Sequence, residues 1–151
     1  MFIGRENELQ LLEDLYNSSK FEFLVLYGRR RVGKTSLLRE FSKDKKVIFF
    51  SAQEKNDSLN LCDFSKAIQQ YFDVNNYGTF DGWESAAEYI SNRIGDERLL
   101  IIIDEFPFIA SENPSIKSIL QHTIDHTWKM KNIFLILCVS DGTLREAKTA
   151  L

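Results

Sequence analysis

The sequence predicts a three-layer α/β fold around a mostly parallel sheet. Three observations predict it. Short continuous apolar runs alternate with stretches whose apolar residues recur at helical spacing. The runs are apolar at nearly every position, as in strands buried on both faces. No stretch rich in Pro, Gly or Ser divides the chain, and its 151 residues fit one domain, 1–151.

Each element follows in order. Residues 6–17 carry Leu9, Leu12 and Tyr16 on one helical stripe. The run 23–27 is a first buried strand that leads straight into Gly28. After Gly33, Leu37, Leu38 and Phe41 have helical spacing, and 47–50 is a second strand. Asp57 or Ser58 is placed to cap a helix bearing Leu61, Phe64, Ile68 and Phe72. Residues 73–83, with two Gly, two Asn and two Asp, read as a loop before a helix over 84–94. The third strand, 99–103, is stopped by Asp104, Glu105 and Pro107. Asn113 as cap and Pro114 in the first turn start a helix with Ile116, Ile119, Leu120 and Ile124 on one face. The run 133–139 is the fourth strand, and 143–151 predicts a short helical tail.

Composition excludes several classes. The longest apolar run, Ile133 to Val139, falls far short of the roughly 18 residues that a membrane helix needs. The N-terminus meets Glu6 and Glu8 at once, unlike a signal peptide. Cys62 and Cys138 make no disulfide framework, so a reduced, cytoplasmic protein without a membrane partner is expected. The net charge of −3 disfavours a general nucleic-acid-coating protein. The charge is uneven: residues 1–46 carry +3 and the rest −6, and the positive excess is densest at Arg29, Arg30, Arg31 and Lys34.

Ligands of such sheets bind beyond the carboxyl ends of the strands, so the chemistry is sought there. After the first strand comes Gly28-Arg29-Arg30-Arg31-Val32-Gly33-Lys34-Thr35, a Gly-x-x-x-x-Gly-Lys-Thr phosphate-binding loop, with Ser36 behind it. Its glycines let successive N–H groups turn inward onto phosphate oxygens, and the following helix adds its positive dipole end. Lys34 brings a full charge to the terminal phosphates, and the Thr35 hydroxyl completes a Mg²⁺ shell. The third strand ends in Asp104-Glu105, apolar residues followed by an acid, the Walker B pattern. Asp104 is then the Mg²⁺ residue, and Glu105 the group that orients or deprotonates a water for attack on the γ-phosphate. A second acid at this place argues for hydrolysis over kinase chemistry. Ser140, at the end of the fourth strand, is the candidate for sensing the γ-phosphate; Ser140-Asp141-Gly142 is also ordinary turn chemistry. No Asn-Lys-x-Asp pattern for reading guanine occurs.

The segment Phe2-Ile3-Gly4-Arg5-Glu6-Asn7-Glu8-Leu9 resembles the N-terminal Gly-Arg-Glu box of AAA+-like and STAND ATPases. Together with the loop and Ile-Asp-Glu-Phe-Pro, it makes the chain similar to the archaeal-type P-loop ATPases up to about Ser140. The resemblance implies a P-loop NTPase fold, ATP and Mg²⁺ as ligands, and Ile3, Gly4 and Arg5 near the adenine. It also implies that the phosphate-loop strand lies between the third strand and a later, final one. Two departures stand out. The family's Gly-Ser-Ser-like stretch reads Val139-Ser140-Asp141 here, and the sequence stops at Leu151 before that last core strand. An edge left open along 23–27 is then expected to pair with another chain, or the sequence to be a fragment. An arginine finger is expected from a second copy or from the missing C-terminal region, since Arg145 is the sole Arg after Arg98. Besides hydrolysis, a nucleotide-binding switch without turnover and, less favoured, a P-loop kinase fit the same residues.

Three further signals carry less. His122 and His126 share a helical face, but a zincin needs Glu where Thr123 stands. Cys62 and Cys138 read as core residues. The Arg triplet can meet DNA phosphates, though its place inside the loop favours nucleotide contact.

Overall fold

Alternation within the apolar runs decides which layer each strand residue enters, because successive side chains point to opposite faces of a sheet. The computed structural model describes residues 5–28, 33–74, 78–140 and 148–149. Its strands β1 (Glu22–Gly28), β2 (Val47–Ser51), β3 (Leu99–Asp104) and β4 (Ile133–Ser140) are all parallel and lie in the order β2-β3-β4-β1. Leu24, Leu26, Leu100, Ile102, Phe134, Ile136 and Cys138 bury one face against α1 (Arg5–Tyr16) and α2 (Lys34–Ser42). Ile48, Phe50, Ile101, Ile103, Leu135 and Leu137 bury the other against α3 (Asp57–Tyr71), α4 (Trp83–Arg93), α5 (Pro107–Glu112) and α6 (Ile116–His126). The result is the expected three-layer α/β fold. Central β3 is buried along its whole length, which is why it reads as an unbroken apolar run.

The order corrects one expectation. The parallel neighbour of β1 is β4, and β3 lies one strand further out. The reason is the handedness of crossovers. From β1 the chain crosses to the far edge by way of α2, then returns through β3 and β4 in the opposite direction. Right-handed connections therefore put α2 on one face and α3 to α6 on the other. The reversal opens a crevice at the carboxyl ends of β1 and β4, where Gly28 and Ser140 are register partners.

Among the described residues no fifth parallel strand occurs. Instead β5 (Lys148–Thr149) pairs antiparallel with β1, Thr149 opposite Leu24 and Lys148 opposite Val25. This corrects the helical tail at those two residues; the rest of 143–151 lies outside the described residues. The unpaired backbone groups of the β1 edge outweigh local helix propensity there.

Helix starts differ by small steps. Asn56, not Asp57 or Ser58, caps α3, its side chain accepting from the Leu59 N–H at 3.0 Å. In α4 the first residue is Trp83, whose ring stacks on Phe64. Pro107 opens the short α5 rather than ending a strand region in a loop. Asn113 accepts from the Ser115 N–H at 3.1 Å in a turn, so α6 begins at Ile116, two residues after Pro114.

Two cations tie the layers. Lys45 donates to Glu13 at 2.8 Å and to the Phe41 carbonyl at 3.0 Å, with its ammonium 4.3 Å from the Phe41 ring centre. Arg98 donates to the carbonyls of Leu15 and Lys20 and to Asn132, fastening the end of α1 to the strand starts. Among the described residues, no helix is long and apolar enough to cross a membrane.

Candidate functional site

The strand ends converge on one edge of the sheet. Gly28 closes β1, Asp104 closes β3 and Ser140 closes β4. Gly33 follows at the foot of α2 with φ +81°, in the left-handed region where a residue without Cβ is favoured. Its carbonyl accepts from the Leu37 N–H at 2.8 Å, so the helix is hydrogen-bonded from its first turn. The next residues, Lys34 and Thr35, therefore project from the positive end of a nine-residue helix.

Both have partners. The Lys34 ammonium donates to the Ser140 hydroxyl. The Thr35 hydroxyl donates to Asp104 Oδ2 at 2.8 Å. Asp104 is only 2% exposed and Lys34 only 5%, so these polar groups sit inside the protein at the sheet edge. The second Asp104 oxygen, Oδ1, accepts from the Glu105 N–H at 2.9 Å. The Asp104 carbonyl accepts from the Ala52 N–H at 3.0 Å, holding the ends of β2 and β3 together.

Glu105 has φ +56°, unusual for a residue with a side chain. The chain leaves β3, turns sharply there and is caught one residue later, where the Phe106 N–H donates to the Cys138 carbonyl at 3.0 Å. The turn thus hangs between two fixed points, Asp104 Oδ1 and the β4 backbone. Sequence reasoning did not single out Cys138 in this role, and a backbone acceptor leaves no compositional trace. Its own thiol is buried in the α1/α2 layer. That burial, with the negative charge of Asp104 beside it, pushes its pKa well up, so it stays a neutral thiol.

The structure brings together Gly28, Gly33, Lys34, Thr35, Asp104, Glu105 and Ser140 as expected. Ser36 lies on the exposed side of α2. Arg5 opens α1. Ile3, Gly4, Arg29, Arg30, Arg31, Val32 and Arg145 lie outside the described residues. The rings of His122 and His126 stack at 4.0 Å on the exposed face of α6. Among the described residues, no group of three or more His, Cys, Asp or Glu is placed to hold a metal.

The donor set at the strand ends suits a nucleotide with Mg²⁺. A buried carboxylate and a hydroxyl 2.8 Å apart are hard oxygen ligands, the kind Mg²⁺ takes. A buried ammonium beside a helix N-terminus suits phosphate.

Comparison with known proteins agrees with this chemistry. An uncharacterized protein of Methanocaldococcus jannaschii is 36% identical over 147 residues, covering 97% of this chain and 31% of its own length. The Walker-type ATPase PABY2304 of Pyrococcus abyssi superposes with a TM-score of 0.57 at 18% identity, over 92% of this chain and 45% of that one. The Drosophila origin recognition complex bound to DNA gives 0.64 at 17% identity, over 93% and 38%. Those two likenesses show the fold. The chain spans about a third of the length of the M. jannaschii relative. A family of ATPase domains found predominantly in Archaea matches residues 2–150, and the chain belongs to that family.

Proposed function

We propose that residues 1–151 are an ATPase domain that binds ATP with Mg²⁺ and hydrolyses it. One observation carries the reading: Lys34 meets Ser140 and Thr35 meets Asp104 at the carboxyl ends of neighbouring strands, with Glu105 next in the chain.

The roles follow from the chemistry. The N–H groups of the 28–36 loop and the ammonium of Lys34 bind phosphate oxygens, with Lys34 exchanging Ser140 for the incoming anion. Thr35 and Asp104 would hold Mg²⁺, which neutralises phosphate charge when bound. Glu105 accepts a proton from the attacking water as the water oxygen bonds to the γ-phosphorus. The bond to the β–γ bridging oxygen breaks, and ADP and phosphate leave. Ser140, released from Lys34, turns its hydroxyl to the γ-phosphate. The family resemblance puts Ile3, Gly4 and Arg5 near the adenine.

The second reading is a nucleotide-binding switch without turnover. It draws on the self-paired site, since Lys34 and Thr35 each already have an internal partner. Phosphate release from excess Mg-ATP, with Glu105→Gln beside it, tests both. Steady turnover that is lost in Glu105→Gln supports hydrolysis. Binding without release in either protein supports the switch. Transfer of the γ-phosphate to an acceptor instead of water would sink both in favour of a kinase. A second copy, or chain beyond this domain, is the proposed source of an arginine for the transition state. DNA is a weaker candidate partner, supported by the Arg triplet and by the DNA-bound neighbour.

A further inference from the structure

A doubly wound sheet buries both faces, yet one face of β1 has no helix over it. Its Leu24 and Leu26 are buried against the α1/α2 layer. On the opposite face, Phe23, Val25 and Tyr27 line an apolar groove of about 370 Å³ whose far side is formed by Phe106 and Leu120, with Val139 of β4 between. Lys117 and Gln121 are the polar residues on its rim. Lys117 is exposed and makes no ion pair among the described residues.

Two observations point to the occupant. Similar proteins carry far more chain: the matched region is 31% of the M. jannaschii relative and 45% of the P. abyssi ATPase. The last described strand, β5, already runs along β1 at Leu24 and Val25, beside the groove. A sheet face needs a covering layer, and an amphipathic helix supplies one with its apolar stripe. The free ammonium of Lys117 calls for a carboxylate on that helix.

We infer that this groove docks an amphipathic helix from the additional chain such longer relatives carry, seated on Phe23, Val25 and Tyr27 with a carboxylate against Lys117. The groove also touches a neighbour of each site strand's functional residue. Tyr27 precedes Gly28, Val139 precedes Ser140 and Phe106 follows Glu105. Docking therefore steadies the turn that carries Glu105 and raises turnover; this second part rests on the hydrolytic reading above.

The test uses fluorescent peptides of about 25 residues, long enough for roughly seven helical turns. They tile the stretch that follows the matched region in the M. jannaschii relative. They are titrated into the 151-residue chain without nucleotide, following anisotropy and circular dichroism. One window is expected to bind saturably and gain helicity. Leu120→Asp and the fully surface-placed Lys117→Glu should each weaken it about tenfold, near 1.4 kcal/mol. Exchanging the peptide's carboxylate for Lys should restore binding to Lys117→Glu. Absence of binding by every window, or binding indifferent to both substitutions, overturns the docking. Self-association of the chain that Leu120→Asp abolishes would give the groove to a second copy and also overturn it. ATP binding, titrated separately, reports on the nucleotide reading alone. Docking without a rise in phosphate release overturns the coupling to Glu105.

Discussion

Thr35 and Asp104 are 69 residues apart in sequence, and their side chains meet at 2.8 Å. The contact joins the first turn of α2 to the end of β3, so sheet register fixes it more than the reach of either short side chain. Asp104→Asn keeps the shape and removes the charge. The Mg²⁺-dependent part of ATP binding is expected to fall about ten- to a hundredfold, as when a partner in a metal's outer shell is lost. Calorimetric titration with Mg²⁺ and with EDTA measures it. If the unsubstituted protein binds ATP equally in both, the Mg²⁺ assignment to Asp104 fails.

Lys34 is the buried cation of the site. Lys34→Met removes charge-assisted hydrogen bonds worth about 1.5–3 kcal/mol, which is roughly a ten- to hundredfold loss of affinity. Ser140→Ala should leave affinity within about threefold, under 1 kcal/mol, while slowing phosphate release. Equal losses of binding in the two variants would show that Ser140 holds nucleotide rather than sensing it.

Backbone strain at Glu105 separates stability from activity. A side chain at φ +56° costs on the order of 1 kcal/mol, and glycine has no such cost. Glu105→Gly is therefore expected to melt no lower than the parent while losing turnover. Glu105→Val, branched at Cβ, should unfold earlier by about 2 kcal/mol. Urea denaturation of the three proteins decides it; a Gly variant that is the least stable would remove strain from the account.

Lys45 predicts an alkaline limit to stability. Burial works against its charge, but the hydrogen bonds to Glu13 and Asp44 overcome it and raise its pKa above 10.5. A raised pKa means that the folded state holds the proton more tightly. The contribution is complete below the unfolded value near 10.5 and lost as pH climbs through the folded one. Thermal melts should show a loss above about pH 10.5 that Lys45→Met lacks. At pH 7 that variant should be less stable by about 1 kcal/mol, the partly solvated Glu13 keeping the figure small. Identical alkaline limbs in both proteins would refute the assignment.

The sheet was readable because its strands are buried on both faces, so 23–27, 99–103 and 133–139 appear as plain apolar runs. The site residues were readable because phosphate chemistry imposes spacing, from Gly28 through Thr35, and puts an acid at the end of β3. What escaped is what adjacency in space decides. Nothing in 148–149 announces a strand, since only the open side of β1 makes it one. The place of β4 beside β1 comes from crossover handedness, which no local pattern records. Asn56 won the cap of α3 over Asp57 and Ser58 because geometry one residue earlier satisfied the Leu59 N–H. The hold of Cys138 on Phe106 is made by a backbone carbonyl, which every residue type shares.

The pairing of Gly28 with Ser140 carries a consequence for how such a protein can change over generations. Side chains along β4 alternate between two cores, Ile136 and Cys138 entering one, Leu135 and Leu137 the other. Conservative apolar exchanges leave that arrangement standing. Adding or deleting a single codon in β4 would shift Ser140 by about 3.3 Å and swap every one of its neighbours to the wrong core. In this strand the count of residues is therefore guarded more strictly than their identity, and lineages diverging from it should differ freely in letters and scarcely at all in length.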